Sequence, residues 1–274
     1  MEPRLENKVV GLIFEKPSTR TRASFETAIY QLAGEAMYLR ADELQLSRGE
    51  PLKDTARILG GYLSAVVIRT YAHESLVEFA KYAPIPVINA LSDLEHPTQI
   101  IADLLTVLEA KGKFAGLRFV WVGDGNNVCN SWLLGGGQLG MNLVVSCPQG
   151  YEPDKQVLSK AKEYAGASGG AIGLIRNPAK AAEAADVLYT DVWVSMGQEK
   201  SAKQKERVFK PYQINEKLIS RAKSDVSVMH CLPAHRGMEI TDEALEGPHS
   251  IVWQQGENKL HAARAVLAAF LGDA

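Results

Sequence analysis

Short runs of β-branched and aliphatic residues alternate along this chain with longer stretches whose apolar residues recur at helical spacing, and this alternation constrains the fold more than any other feature. Strands joined by crossover helices into parallel sheets bury both kinds of run. The pattern predicts an α/β protein of two domains, each a mostly parallel sheet flanked by helices. In the first half, strands are expected over 9–14, 65–68 and 87–88, with helices opening near Thr19, Glu74 and Pro97. In the second half they are expected over 119–122, 143–146, 173–175, 187–189, 226–229 and 251–253.

A length of 274 residues accommodates about two domains. The Lys- and Gly-rich segment 109–116 separates the two series and reads as a hinge. The expected domains are therefore 1–112 and 113–257. Residues 258–274 form a C-terminal helix that packs back on the first domain, its apolar stripe being Leu260, Ala263, Val266, Leu267 and Phe270.

Composition excludes several classes of function. Thirty Lys plus Arg against 32 Asp plus Glu give a net charge of −2, too little for a broad cationic field toward a nucleic-acid backbone. An anion must therefore be met by a local cluster. The three cysteines, Cys129, Cys147 and Cys231, have the spacing of neither a disulfide framework nor a four-ligand zinc site. His230 and His235 lie five apart around a proline, with no carboxylate at helical ligand spacing, so no metal site is expected. No run is long enough to cross a bilayer and the N-terminus lacks a signal-peptide core, which places the expected compartment in the cytoplasm.

Residues 15–22 read Glu-Lys-Pro-Ser-Thr-Arg-Thr-Arg, between the first strand and a helix with Phe25, Ala28, Ile29 and Leu32 on one face and Gly34 as its stop. Open N–H groups and the positive dipole end make such a helix start an anion site. Ser18, Thr19 and Thr21 add hydroxyl donors, and Arg20 adds a planar fork. A phosphate fits this cluster. The Gly-Lys-Ser/Thr ending of a nucleotide-hydrolysing loop is absent. Taken alone, Ser18 or Thr19 serves equally as an ordinary cap, with the arginines turned to water.

Ligands of open parallel sheets collect beyond the carboxyl ends of the strands. At those ends the chain places Arg69-Thr70, His96-Pro97-Thr98-Gln99, Thr190-Asp191 and His230-Cys231-Leu232-Pro233. Singly, His96 reads also as a helix-start hydrogen-bonder and Arg69 as an ion-pair partner. Gly123-Asp124-Gly125-Asn126-Asn127-Val128 has the outline of a dinucleotide loop. Val128 stands where the third small residue belongs, however, and the two asparagines suit a small polar ligand better. Gly135-Gly136-Gly137 reads as a close helix contact as readily as a ligand site.

Four motifs, Ser18-Thr19-Arg20-Thr21-Arg22, His96-Pro97-Thr98-Gln99, Asp191-Val192-Trp193-Val194-Ser195-Met196-Gly197 and His230-Cys231-Leu232-Pro233, together resemble those of the ornithine carbamoyltransferases. The resemblance spans essentially the whole chain. The first two motifs are shared with aspartate carbamoyltransferases; the last two discriminate, since the aspartate enzymes carry a His-Pro-Leu-Pro type segment and a different strand-end loop.

The resemblance implies that Ser18, Thr19, Arg20, Thr21 and Arg69 hold the phosphate of carbamoyl phosphate. It likewise implies that Arg69, Thr21, His96 and Gln99 address the carbamoyl group. Asn127, Asp191, Ser195 and Met196 would form the ornithine site, with Cys231 and Leu232 beside the reacting amine. Arg69, His96, Asp191 and Cys231 are the implied catalytic set. Gln45 resembles a loop residue that reaches the phosphate held by a neighbouring subunit, and the family's trimers imply a trimer or a multiple of one. A cis Leu232-Pro233 bond is also implied, and the chemistry calls for no metal or organic cofactor. The polar stretch 198–210 suits a lid over ornithine.

One departure stands out. Lys259 occupies the position where similar enzymes usually place an arginine against the carbamoyl oxygen, and an ammonium does not reproduce a planar fork. Two alternatives follow: a carbamoyltransferase for putrescine or another amine, and a non-catalytic carbamoyl-phosphate-binding paralogue. Asp191 with Ser195-Met196-Gly197 disfavours the first, because a diamine offers no α-carboxylate. The intact set of Arg69, His96, Asp191 and Cys231 disfavours the second.

Overall fold

The computed structural model describes residues 4–194 and 202–272. Two compact units divide the chain, one formed by Met1–Ala102 with Glu257–Ala274 and the other by Asp103–Gly256. Both divisions fall inside helices.

The first unit runs β1 (Val9–Phe14), α1 (Thr19–Gln31), β2 (Glu35–Arg40), α2 (Leu52–Gly60), β3 (Ala65–Arg69), α3 (His73–Tyr82), β4 (Val87–Leu91) and the start of α4 (Pro97–Lys111). Its sheet is wholly parallel in the order β2-β1-β3-β4. Period-two alternation assigns the faces. Val10, Leu12 and Phe14 of β1 with Ala65 and Val67 of β3 bury one face against Phe25, Ala28 and Ile29 of α1. Ile13, Val66 and Ile68 bury the other against Ala56 of α2 and Leu76 and Phe79 of α3. Helix α1 ends through Ala33, which is left-handed at φ +65°, and not through Gly34. Gly34 is required instead by close approach, since a Cβ there would lie 2.8 Å from the Cβ of Leu5.

The second unit runs β5 (Arg118–Val122), α5 (Asn127–Gln138), β6 (Asn142–Ser146), α6 (Lys155–Ser168), β7 (Ala171–Leu174), α7 (Pro178–Ala182), β8 (Val187–Thr190), α8 (Ala202–Phe209), α9 (Glu216–Ile219), β9 (Ser227–His230), α10 (Asp242–Glu246) and the start of α11 (Val252–Leu271). Its sheet, β7-β6-β5-β8-β9, is again wholly parallel. Val120, Val122, Leu188 and Val228 line one face with Trp193, Phe209 and Ile214. The other is aromatic: Phe119 stacks on Trp132 with centroids 4.0 Å apart, and Trp121 on Tyr189 at 5.0 Å. The triple-glycine run is a helix contact, because a Cβ on Gly137 would stand 3.0 Å from the Ala161 carbonyl of α6.

The α/β expectation is met in both units. The expected strand over 251–253 is not formed; Ser250 makes a single bridge to Val228 and the helix α11 begins at Val252. β2 goes unread in the sequence because it is an edge strand whose side chains are mostly exposed, so its short apolar stretch 36–39 carries no burial pattern. The C-terminal helix packs on the first unit as expected, except that Phe270 of the expected stripe is exposed and Leu271 is buried in its place. Ala263, Val266, Leu267 and Leu271 join Leu5, Val10 and Phe25 in the core of the first unit, where each fully buried large aliphatic side chain contributes about 1.5–3 kcal/mol.

Candidate active site

Each sheet changes winding direction once, and its strand-end loops part at that point. In the first unit the change lies between β1 and β3. The residues following β1 are the hydroxyl and arginine cluster, and the last residue of β3 is Arg69. Ser18 is the N-cap of α1, its hydroxyl accepting from the Thr21 N–H at 3.3 Å. Thr21 is buried, Ser18 and Arg20 are partly open, and Thr19 is exposed. Arg22 turns away to stack 3.6 Å over Tyr38 and to pair with Glu26 at 2.9 Å. The cluster is stitched to its neighbours: Glu15 accepts from Thr70 Oγ1 at 2.5 Å and from the Tyr71 N–H at 2.9 Å. Lys16 pairs with Asp93 and lies 4.0 Å over the Tyr71 ring.

Four buried polar side chains accompany this cluster in the same unit. Arg69 closes β3 at a register shift against β4, His96 precedes α4, Gln99 lies in its first turn, and Lys259 projects from α11. Lys259 Nζ donates to Gln99 Oε1 at 2.5 Å. Burial above all, then the charges of Lys259 and Arg69, hold the His96 imidazole well below its ordinary value. A neutral imidazole can donate a hydrogen bond to a developing oxyanion without being a cation. Gln45 lies apart from these buried groups, exposed on the one-turn 3-10 helix Gln45–Arg48.

The depressed imidazole has a stability consequence with a definite sign. Below 6.5 the unfolded chain binds a proton at His96 that the folded chain refuses, so folding stability is lost as pH falls through that range. The contribution is at most about 1.4 kcal/mol per pH unit. Urea unfolding at pH 7.5 and 5.5 is expected to show a smaller acid-induced loss for His96→Asn than for the native chain; equal losses would refute the buried neutral state.

In the second unit the winding changes between β5 and β8. The residues following these strands carry Asn126 and Asn127 on one side and Asp191 on the other. Asn126 caps α5, its Oδ1 accepting from the N–H groups of Val128 at 3.0 Å and Cys129 at 3.1 Å. Its Nδ2 donates to Asp191 Oδ2 at 2.7 Å. Asp191 Oδ1 accepts from the Val192 N–H at 2.8 Å and from Cys231 Sγ at 3.0 Å. Asn127 is partly buried at the first position of α5, with its Oδ1 3.1 Å from the Val128 N–H.

The loop carrying Cys231 and Leu232 is held by His230. The imidazole Nδ1 accepts from the Leu232 N–H at 2.8 Å, which leaves Nε2 to donate to Glu239 at 3.1 Å. Leu232 is left-handed at φ +57°, and its bond to Pro233 is cis. Glu239 also accepts from the His235 N–H at 2.6 Å, so a carboxylate does stand beside both histidines, against the expectation from spacing. Asp191, His230 and Cys231 offer ligand atoms within 4.8 Å of one another. Both nitrogens of His230 are already engaged, so a cation there would have to displace the Leu232 N–H or Glu239.

Ser195 and Met196 lie outside the described residues, as does 198–201 of the expected lid. The remainder of that stretch is the anchored helix α8: Phe209 is buried and Lys205 pairs with Asp124 at 2.5 Å. Burial pushes the Asp124 carboxyl up even though Lys205 draws it down. Cys129 and Cys147 are buried thiols, the second pushed up to about 11, which makes both poor nucleophiles. Sequence pattern does not single out Glu239 or Gln255, and it marks Asn126 only together with Asn127 as suited to a small polar ligand. The helix-start position of Asn126, just before α5, signals a cap.

One unit carries a hydroxyl- and cation-rich strand end and the other a carboxylate–thiol pair, and comparison with known proteins gives the class as a carbamoyltransferase. The chain belongs to the aspartate/ornithine carbamoyltransferase family: residues 1–109 match its carbamoyl-P binding domain and residues 115–270 its Asp/Orn binding domain. Ornithine carbamoyltransferase of Pyrococcus horikoshii is 53% identical over 268 residues, covering 98% of this chain and 84% of the relative. The solved ornithine carbamoyltransferase of Pyrococcus furiosus superposes with a TM-score of 0.96 at 51% identity, covering 98% of this chain and 86% of that one. That of Gloeobacter violaceus gives 0.90 at 48%, covering 99% and 89%. Among the described residues no helix is long and apolar enough to cross a membrane.

Proposed function

We propose that this chain transfers the carbamoyl group of carbamoyl phosphate to the side-chain amine of L-ornithine, giving L-citrulline and phosphate. One observation supports the reading: the Ser18, Thr19 and Arg20 cluster at the start of α1 lies beside the switch point of the first sheet, and the Asp191 carboxylate lies beside that of the second. Residues 1–112 with 258–274 bind carbamoyl phosphate, and residues 113–257 bind ornithine.

Ser18, Thr19, Arg20 and Thr21 hold the phosphate, joined by Arg69. Arg69, Thr21, His96, Gln99 and Lys259 face the carbamoyl group. Asn127, Asp191, Ser195 and Met196 bind ornithine, and Cys231 and Leu232 lie beside the reacting nitrogen. The neutral amine attacks the carbamoyl carbon, the C–N bond forms, and the amine sheds one proton. Charge collects on the carbonyl oxygen, where a preorganised donor contributes about 3 kcal/mol in comparable acyl transfers. The bond between the carbamoyl carbon and the bridging oxygen then breaks, phosphate leaves with the electron pair, and the amine's proton ends on phosphate or in solvent. The enzyme works in the cytoplasm as a trimer or a multiple of trimers, Gln45 reaching the phosphate of the adjoining subunit.

The test is a colorimetric carbamoylation assay with ornithine, putrescine and aspartate offered side by side. Citrulline from ornithine is the expected product. Product from putrescine alone would overturn the substrate assignment, and calorimetric binding of carbamoyl phosphate with no amine carbamoylated would make the chain a binding protein.

A further inference from the structure

We infer that Asn126 is a positioning residue for the transfer, holding the Asp191 carboxylate in register with Cys231. The inference rests on the ornithine reading above and goes beyond it to a side chain that need not touch substrate. The orientation of the Asn126 amide is not arbitrary. Its oxygen faces two backbone N–H groups of α5, at 3.0 and 3.1 Å, and only an acceptor satisfies both. The NH2 group is thereby turned outward, where it meets Asp191 Oδ2 at 2.7 Å.

Asp191 is thus held through both oxygens. Oδ2 is fixed by Asn126, and Oδ1 by the Val192 N–H and the Cys231 thiol. The anchors come from three strand ends, those of β5, β8 and β9, on either side of the winding change. Without the Asn126 donor the carboxylate can rotate about its terminal bond, and its 3.0 Å contact with Cys231 Sγ loses its reference. Asn126 ties that rotation to the first turn of α5, a rigid element, as a precisely placed reacting group needs.

Two substitutions separate this role from helix capping, because Ser, Asp and Asn cap helices about equally well. Asn126→Ser keeps a cap but lacks the reach to Asp191. Asn126→Asp keeps the cap and the shape while setting a second carboxylate against Asp191. Both variants are expected to retain the native Tm within about 2 °C and the KM for carbamoyl phosphate within about twofold. kcat/KM for ornithine is expected to fall about tenfold to a hundredfold, more for the aspartate variant, as fits loss of a hydrogen bond to a charged acceptor. Unchanged kcat/KM for ornithine in both variants, or a joint worsening of both substrates' KM with a falling Tm, would overturn the inference.

A crystal structure of the Asn126→Asp enzyme supplies a readout independent of substrate identity. Asp191 is expected to swing away from Cys231 while α5 stays in place, and an unmoved Asp191 would overturn the inference. If the native enzyme fails to carbamoylate ornithine, the functional reading falls alone, and this crystallographic comparison still decides the role of Asn126.

Discussion

Arg69→Ala is expected to lower kcat by about a hundredfold to a thousandfold, the range seen when one oxyanion donor is removed from a preorganised site. Arg69 is suited to that task by its place in the sheet. It is the last residue of the central strand β3, it is 6% exposed, and its backbone carbonyl accepts from the Glu15 N–H, which links it to the residues leading into the hydroxyl cluster. Its charge helps depress the His96 imidazole, so the two act on one local field. Arg69→Lys is expected to recover only part of the loss, because an ammonium keeps the charge and not the planar fork. Steady-state kinetics with saturating ornithine measures both. A kcat within threefold of native in Arg69→Ala would remove the residue from the chemistry.

Asp103→Ala is expected to destabilise the second unit by about 3–5 kcal/mol. The Asp103 carboxylate is fully buried and accepts from Trp132 Nε1 at 3.1 Å, from the Tyr189 hydroxyl at 2.7 Å and from Gln255 Nε2 at 2.7 Å. Truncation leaves these donors without their acceptor, and each buried donor so stranded costs about 1–3 kcal/mol. The 2.9 Å bond from Gln255 Nε2 to the Tyr189 hydroxyl is already present and survives the truncation, so Gln255 keeps one of its two partners. Asp103→Asn preserves the shape and is expected to cost less. The damage also reaches the strand end that carries Cys231, since Gln255 Oε1 accepts from the N–H of His230, the residue before it. Urea unfolding followed by tryptophan fluorescence, which reports Trp132 directly, provides the measurement; a loss below about 1 kcal/mol would contradict the reading.

What sequence discloses about this protein follows from what is buried. β1, β3, β5 and β8 are covered on both faces, so they appear as continuous apolar runs and their limits are legible to within a residue or two. β2 is covered on little of its surface and carries no such signature. The placement of Arg69, His96, Asp191 and Cys231 at or just beyond strand ends, where ligands of such sheets gather, is legible because it requires only knowing where strands stop. Asn126 and Asn127 are both polar and both follow a strand, and only the cap geometry shows which of them meets Asp191. Asp103 and Gln255 are polar residues in helices, where pattern assigns them to solvent; it is packing across the aromatic face of the second sheet that buries them. Lys205, within the polar stretch read as a lid, is instead 6% exposed beside Asp124 and the Tyr151 ring.

The most direct measurement is a crystal structure of the native enzyme soaked at saturating carbamoyl phosphate. The phosphate is expected at the N-terminus of α1, within hydrogen-bond reach of Ser18, Thr19, Arg20 and Thr21, with Arg69, His96 and Gln99 converging on the carbamoyl group. Phosphate bound elsewhere in a fully active crystal, with Arg69 and His96 away from it, would contradict the assignment.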